Sequence, residues 1–598
     1  MRVWKAGVLL VCLTVAASGQ PGPKDSEWHT CGADLHNSRY RPLDQIHAGN
    51  FSKLEVAWRF KTDSLGTRPE YKLEGVVYST AGSRRAAIAL DAVTGELLWV
   101  HGEHEGARGL AYWTDGKEER ILYSTPGYPL IALDAKTVAL IPTFGKGGAV
   151  DLKLDDDQTI LPDLTTGEIG IQSAPVVARD VVIVGAAFRE GMTPKSMRNN
   201  KGYVRGFNVR TGKRLWIFHT IPMKGEFGAD TWEKASNEYT WNTGVRTQIS
   251  VDEQLGLVYL PVESPTGDYY GGHRPGNNLF GESLVCVDLA TGQRKWHYQL
   301  VHHPLWDMDI SSGPLLADIT VNGRVVKAVA QPTKQGFLCV FDRVTGKPVW
   351  PMDERPVESK LEGPLATLTL GTASGGTNWP GGSYDPETHT VYVYACNACL
   401  TPIGLARPPK SMSDMDFVQG TAGQEVRMRL GPGENAGADS PRPAAPAAGG
   451  GGGGDGLTIQ GLPLMKPPDA SISAIQLDKG EILWQVAHGE TPDAIRNHPA
   501  LKGLTIPRTG QSGFNVTKAL VIAGEGQVTT TADLPRSAML RAYDKATGTE
   551  VGAAWMPAPQ TGSPMTYMAK GKQYIIVAVS GGPYSGEYLA FTLPAEEK

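Results

Sequence analysis

Four stretches of the chain follow one grammar: DAVTGELLW at 91–99, NVRTGKRLW at 208–216, DLATGQRKW at 288–296 and DRVTGKPVW at 342–350. An alternating apolar run ends on Asp or Asn, Thr and Gly follow at the third and fourth positions, and Trp stands four residues past the glycine. Alternation marks a strand with one buried face, and the glycine can take positive φ at no steric cost. Each stretch therefore reads as a β-hairpin whose Trp is placed to pack on a neighbouring sheet. Weaker copies stand at Asp134-Thr137-Val138, Gln476-Gly480-Trp484 and Asp544-Thr547-Gly548.

A single hairpin of this kind cannot bury both of its faces. Seven copies, spaced 43 to 134 residues apart, predict a ring of four-stranded blades closed radially so that no long edge stays open. The expected fold is all-β: an eight-bladed β-propeller of four-stranded antiparallel blades, with seven blades as the alternative, built from residues 20–598 as one domain. Runs such as Val181–Val184 and Tyr574–Val579 read as buried inner strands. From about 431 to 468 the chain is rich in Gly, Pro and Ala, with six consecutive glycines at 449–454, and is expected to be a flexible surface insertion.

Composition supports a large packed core: 41% of the 598 residues are hydrophobic, although 72 are Gly and 42 are Pro. That balance excludes a disordered or collagen-like chain. A net charge of -5 and a pI near 6.3 leave no basic stripe for phosphate neutralisation, so nucleic acid is not an expected partner. The N-terminus places Arg2 and Lys5 before an apolar run from Ala6 to Ala17, followed by Ser18-Gly19. This is the layout of a secretory signal over residues 1–19, and it predicts a periplasmic or secreted protein with no transmembrane segment in the mature chain. Beyond Cys12, inside that signal, five cysteines remain, of which Cys396 and Cys399 are spaced to close one bridge in an oxidising compartment. Leu400 stands where a haem-attachment motif needs His, so no covalent haem is expected.

The densest polar chemistry lies between repeats. His302-His303-Pro304-Leu305-Trp306-Asp307-Met308-Asp309 follows one repeat hairpin, and Gln331-Pro332-Thr333-Lys334-Gln335-Gly336 comes one blade-strand later and offers a cation at the same end of the ring. Carboxylates placed in a core need partners, so this material reads as functional. His302 and His303 read as structural, and the tryptophans of the repeats as packing.

With the repeat, Trp306-Asp307, Thr333-Lys334 and the stretch WHTCGADLHNSRYRPL at 28–43, the chain resembles the pyrroloquinoline-quinone-dependent dehydrogenases, the eight-bladed quinoproteins. The pattern LGLVYLP at 255–261, Tyr270-Gly271-Gly272 and WHYQLVHHPLWDMD at 296–309 is most similar to the periplasmic domain of the membrane-bound glucose dehydrogenases, whose membrane anchor has no counterpart here. The resemblance implies Asp307 as the catalytic base, Lys334 as a hydrogen-bond donor to the quinone and Glu190 as an acidic metal ligand. It also implies cofactor contacts from Arg108, Asn378 and Trp379.

Two positions depart from the pattern. Arg246 stands where the family has a tryptophan stacked on the quinone, and a guanidinium can also stack on a π face. Ser264, preceded by Glu263, stands where the family has an asparagine metal ligand. Asp309 resembles the extra carboxylate of lanthanide-using members, yet the glucose enzymes also carry an acid there, and an oxygen-only site suits Ca2+ or Mg2+. No adjacent Cys-Cys pair occurs, which within the family points from simple alcohols toward sugars or polyols.

The implied activity is oxidation of a sugar, polyol or other alcohol with pyrroloquinoline quinone and a divalent cation. Electrons then pass to an external quinone or cytochrome c. The rival expectations are a non-catalytic propeller scaffold and a decayed homologue that still binds the quinone.

Overall fold

The computed structural model describes residues 27–63, 75–82, 86–102, 109–125, 128–158, 169–170, 173–188, 196–355, 367–371, 375–397, 399–411, 413–420, 458–468, 470–491, 493–502, 514–528, 537–581 and 584–595. The expected signal, Arg108, Glu190 and residues 431–457 of the expected insertion lie outside them. Residues 458–468 carry a small hairpin of Thr458–Ile459 against Leu462–Pro463.

The molecule is an eight-bladed β-propeller of mostly four-stranded antiparallel blades. Seven blades follow the chain and each carries one copy of the repeat turn. In the fourth, Val176–Ala178, Val181–Val184, Val204–Asn208 and Arg214–Phe218 pair in order, and in the fifth Ser250–Asp252, Leu257–Pro261, Ser283–Asp288 and Arg294–Gln299 do the same. The sixth pairs Leu315–Val321, Arg324–Pro332 and Leu338–Asp342, and the seventh Gly382–Asp385, Thr390–Cys396, Ala470–Gln476 and Glu481–Ala487. The eighth is extended by Tyr40–Arg41, which pairs parallel with Phe514–Thr517. One blade has no repeat turn because both chain ends build it: Glu55–Lys61 adds to Tyr584–Thr592, Lys572–Gly581 and Met565–Ala569. The ring is thus closed by strand pairing between residues more than 500 apart.

The repeat residues explain how blades dock. Asp288 Oδ1 accepts from the backbone N of Ala290 (3.0 Å) and Thr291 (3.0 Å) and from Thr291 Oγ1 (3.0 Å), which caps the turn. Asp91, Asn208, Asp342 and Asp544 do likewise. Gly292 then adopts φ 69°, and a Cβ there would stand 2.7 Å from the ring of Trp216 in the preceding blade. Gly346 stands in the same relation to Trp296 and Gly548 to Trp484. The indole completes the contact: Trp216 Nε1 donates to Leu289 O (2.9 Å) and Trp296 Nε1 to Arg343 O (3.1 Å). At Gly292, Gly346 and Gly548 glycine is favoured twice over, by φ and by the neighbour's ring. Gly292→Ala is accordingly expected to cost at least about 1–2 kcal/mol for the left-handed backbone alone, with the Trp216 clash added, as urea unfolding would measure.

Antiparallel pairing also sorts the connections. Turns joining third to fourth strands, which carry the repeat, lie on one face of the ring. Links from second to third strands, and from one blade to the next, lie on the other. Residues 241–249, 262–282, 300–314, 333–337 and 376–381 all belong to that second face. Residues far apart in sequence are thereby gathered round one end of the propeller.

Candidate active site

Trp306 and Asp307 both have positive φ, 76° and 53°. A bulky residue rarely adopts this conformation, and such strain persists only where surroundings enforce it. Here Trp306 is 2% exposed and packs with Tyr269 and Met308. The turn aims two oxygens of Asp307 at one cation: Lys334 Nζ donates to Asp307 O (2.8 Å) and Oδ1 (2.9 Å). Lys334 Nζ also stands 3.4 Å from Asp309 Oδ2. Arg246 Nη2 approaches the same Asp309 oxygen at 3.5 Å, and Ser264 N donates to Asp309 Oδ1 at 2.7 Å.

Asp307, Asp309, Lys334, Arg246 and Ser264, to which the family resemblance pointed, therefore form one cluster. Asn378 and Trp379 belong to the same face, since Thr377 N donates to Thr333 O (3.0 Å), and Trp379 is 52% exposed. Trp241 is fully buried. His303 Nδ1 bonds Gly276 O at 2.8 Å, while His302 Nε2 lies 3.5 Å from Glu354 Oε1.

Three further acids were given no role from the sequence, although Glu263 was noted beside Ser264. Glu263, Asp268 and Glu282 stand within electrostatic reach of Asp307 or Asp309, and Arg274 adds a cation beside Asp268 and Glu282. Five carboxyl groups thus face three cations, Lys334, Arg246 and Arg274. Glu282 carried a signal that was readable: a lone acid opening the apolar strand Ser283–Asp288.

Burial pushes the Asp307 carboxyl up to about 6, against the pull of Lys334 and with the help of Asp309. Asp309 goes the other way, since Lys334, Arg246 and the Ser264 N–H outweigh burial and hold it below the usual carboxylate range. Burial alone would lower the Lys334 ammonium, but Asp307 and Asp309 keep it above its ordinary value. Burial and neighbouring carboxylates raise Glu263, Asp268 and Glu282.

These shifts set a sign for stability. A carboxyl raised in the fold binds its proton more tightly there than in the unfolded chain, so its contribution is present below the unfolded value and is lost as pH rises. For Asp307 that window runs from 3.8 to about 6. Glu263, Asp268 and Glu282 act with the same sign. Asp309 opposes them only in acid, below 3.8. Urea unfolding of the metal- and quinone-free protein is expected to give a lower midpoint at pH 8 than at pH 5. A flat profile would refute the assignment.

The donor set suits a hard cation. Ser264 Oγ and both carboxyl oxygens of Glu282 are buried with no hydrogen-bond partner among the described residues, and unsatisfied oxygens beside surplus carboxylates match what Ca2+ or Mg2+ takes. Among the described residues no three acidic, imidazole or thiol groups form a ready cage by themselves. No helix among them is long and apolar enough to cross a membrane.

Comparison with known proteins gives the family and the fold. The family profile of the pyrroloquinoline-quinone glucose/ethanol/alcohol dehydrogenase β-propeller domain matches residues 28–364 and 362–575. The quinoprotein glucose dehydrogenase of Escherichia coli is 27% identical, over 96% of this chain and 79% of that protein. Among solved structures, a quinohemoprotein alcohol dehydrogenase from Pseudomonas putida superposes with a TM-score of 0.66 at 21% identity, covering 96% of this chain and 81% of the other. A europium-containing methanol dehydrogenase gives 0.64 at 19% identity, covering 95% and 98%. These two share the fold. With the profile matching from the first blade's neighbourhood almost to the C-terminus, the chain belongs to the pyrroloquinoline-quinone-dependent glucose/ethanol/alcohol dehydrogenases, enzymes acting on CH–OH donors.

Proposed function

We propose that this protein oxidises a sugar, polyol or other alcohol with pyrroloquinoline quinone and one cation, Ca2+ or Mg2+ with a lanthanide as the alternative. It passes the electrons to an external quinone or cytochrome c. It works in the periplasm or outside the cell after loss of residues 1–19. The observation that carries the reading is the contact of Asp307 with Lys334, a base and a donor held 2.9 Å apart on the face where the connections gather.

When bound, the quinone supplies a two-electron acceptor and the cation a Lewis acid. Asp307 takes the proton of the substrate hydroxyl at a carboxylate oxygen, a task for which a pKa near the working pH is favourable. Lys334 is the donor to the cofactor and keeps its charge because two carboxylates face it. Asp307, Asp309 and Ser264 would hold the cation together with Glu190. Arg246, Asn378, Trp379 and Arg108 would contact the cofactor. The names of the relatives, spanning glucose, alcohol and methanol, support a CH–OH donor.

The test is dye-linked oxidation by the purified protein reconstituted with pyrroloquinoline quinone in Ca2+, Mg2+ or a lanthanide, across aldoses, polyols and primary alcohols. Turnover that needs both quinone and metal is expected. Saturable quinone binding without turnover on any of them would indicate the decayed homologue, and no binding would indicate the scaffold.

A further inference from the structure

Cys396 and Cys399 are joined by a disulfide, with Cα atoms 5.6 Å apart. Cys396 ends the strand Thr390–Cys396 and Leu400 opens the strand Leu400–Ala406, so the bond ties two strand ends together on the site face. Each end leads to the same place. Along the first, Cys396 N donates to Gly376 O (3.0 Å), and the next residue, Thr377, donates through N to Thr333 O (3.0 Å) and through Oγ1 to Tyr394 O (2.7 Å). Along the second, Leu400 pairs with Leu370, whose neighbour Gly371 packs so closely that a Cβ there would stand 2.8 Å from Lys334 O. A Cβ on Gly376 would overlap that same carbonyl. Both glycines have positive φ, 83° and 50°.

We propose that the Cys396–Cys399 disulfide is a positioning element for Lys334. It holds the two glycine wedges against the backbone of residues 333–335 and so sets where Nζ meets Asp307, Asp309 and the quinone. The inference rests on the reading of Lys334 as a cofactor contact. Opening the bond takes two electrons and two protons and yields two thiols; in the test a water-soluble phosphine supplies the electrons and leaves as its oxide.

The experiment compares oxidised protein, phosphine-reduced protein and the double variant Cys396→Ser/Cys399→Ser. It reads amide exchange at Thr333 and Thr377 in the metal-loaded protein, the Kd for pyrroloquinoline quinone in Ca2+, and kcat and KM. Expected on reduction are faster exchange at both amides and about tenfold weaker quinone binding, about 1.4 kcal/mol. The alcohol KM at saturating quinone is expected to stay within twofold, and reoxidation to restore all values. Ile522→Val, in the eighth blade, serves as a stability control that leaves the Kd unchanged. Equal exchange and equal Kd in the oxidised and reduced forms would overturn the proposal, as would a control that weakens binding as much. Lys334→Met separates the two readings. Wild-type quinone affinity in that variant would refute the role of Lys334. Lost affinity there, with no effect of reduction in the parent, would refute the disulfide tie alone.

Discussion

Asp307→Asn is expected to lower kcat by about 10²–10⁴-fold, the range general-base removal commonly shows, with little loss of folding stability. Asn keeps the shape of the side chain and an oxygen that can still accept from Lys334 Nζ, now 2.9 Å from Asp307 Oδ1, but it cannot take a proton. It also removes the group whose burial raises its pKa to about 6. The quinone-free variant is therefore expected to lose part of the fall in stability between pH 5 and pH 8. Rapid-mixing turnover at saturating quinone and urea unfolding at the two pH values check the two statements. A variant that retains more than about a tenth of wild-type kcat would exclude Asp307 as the base, because residual catalysis without a base falls well below that.

Lys334→Met is expected to cost about 3–5 kcal/mol of stability at pH 8, the usual result of removing one partner of a buried ion pair, and to abolish saturable quinone binding. The side chain is fully buried, and Asp309 is 8% and Asp307 18% exposed, so water replaces the lost cation poorly. The deficit has a pH signature. Without Lys334 the carboxyls of Asp307 and Asp309 shift upward and neutralise themselves in acid, so the loss at pH 5 is expected to be smaller than at pH 8. Equal deficits at both pH values would show that the methionine merely packs badly. The double variant Lys334→Met/Asp307→Asn is expected to recover part of the stability, since it removes the uncompensated charge.

How the sequence announced this architecture is clearest at the blade that carries no repeat. Seven turns were visible, yet the ring has eight blades, because the remaining one is assembled from Glu55–Lys61 and the last three strands. A turn signature reports a hairpin between neighbours in the chain; it cannot report a pairing such as Phe60 with Tyr588. Val138 shows the converse. It occupies the glycine position of its repeat at φ 62° and packs against the apolar cluster that holds Trp99, so a weak copy still makes the same turn.

The site divides in the same way. By itself the sequence determined the hairpins, through local periodicity and turn chemistry, and put the 302–309 and 331–336 stretches at one end of the ring. Within those stretches Asp307, Asp309 and Lys334 were singled out by the resemblance to a family pattern. Only the tertiary structure decided that Arg246 approaches Asp309, that Glu263, Asp268 and Glu282 crowd the same end, and that Cys396 and Cys399 tie two strands leading to the Lys334 carbonyl. Charge pairing and wedge contacts depend on distance in space, and residues tens of positions apart leave no periodic trace of it along the chain.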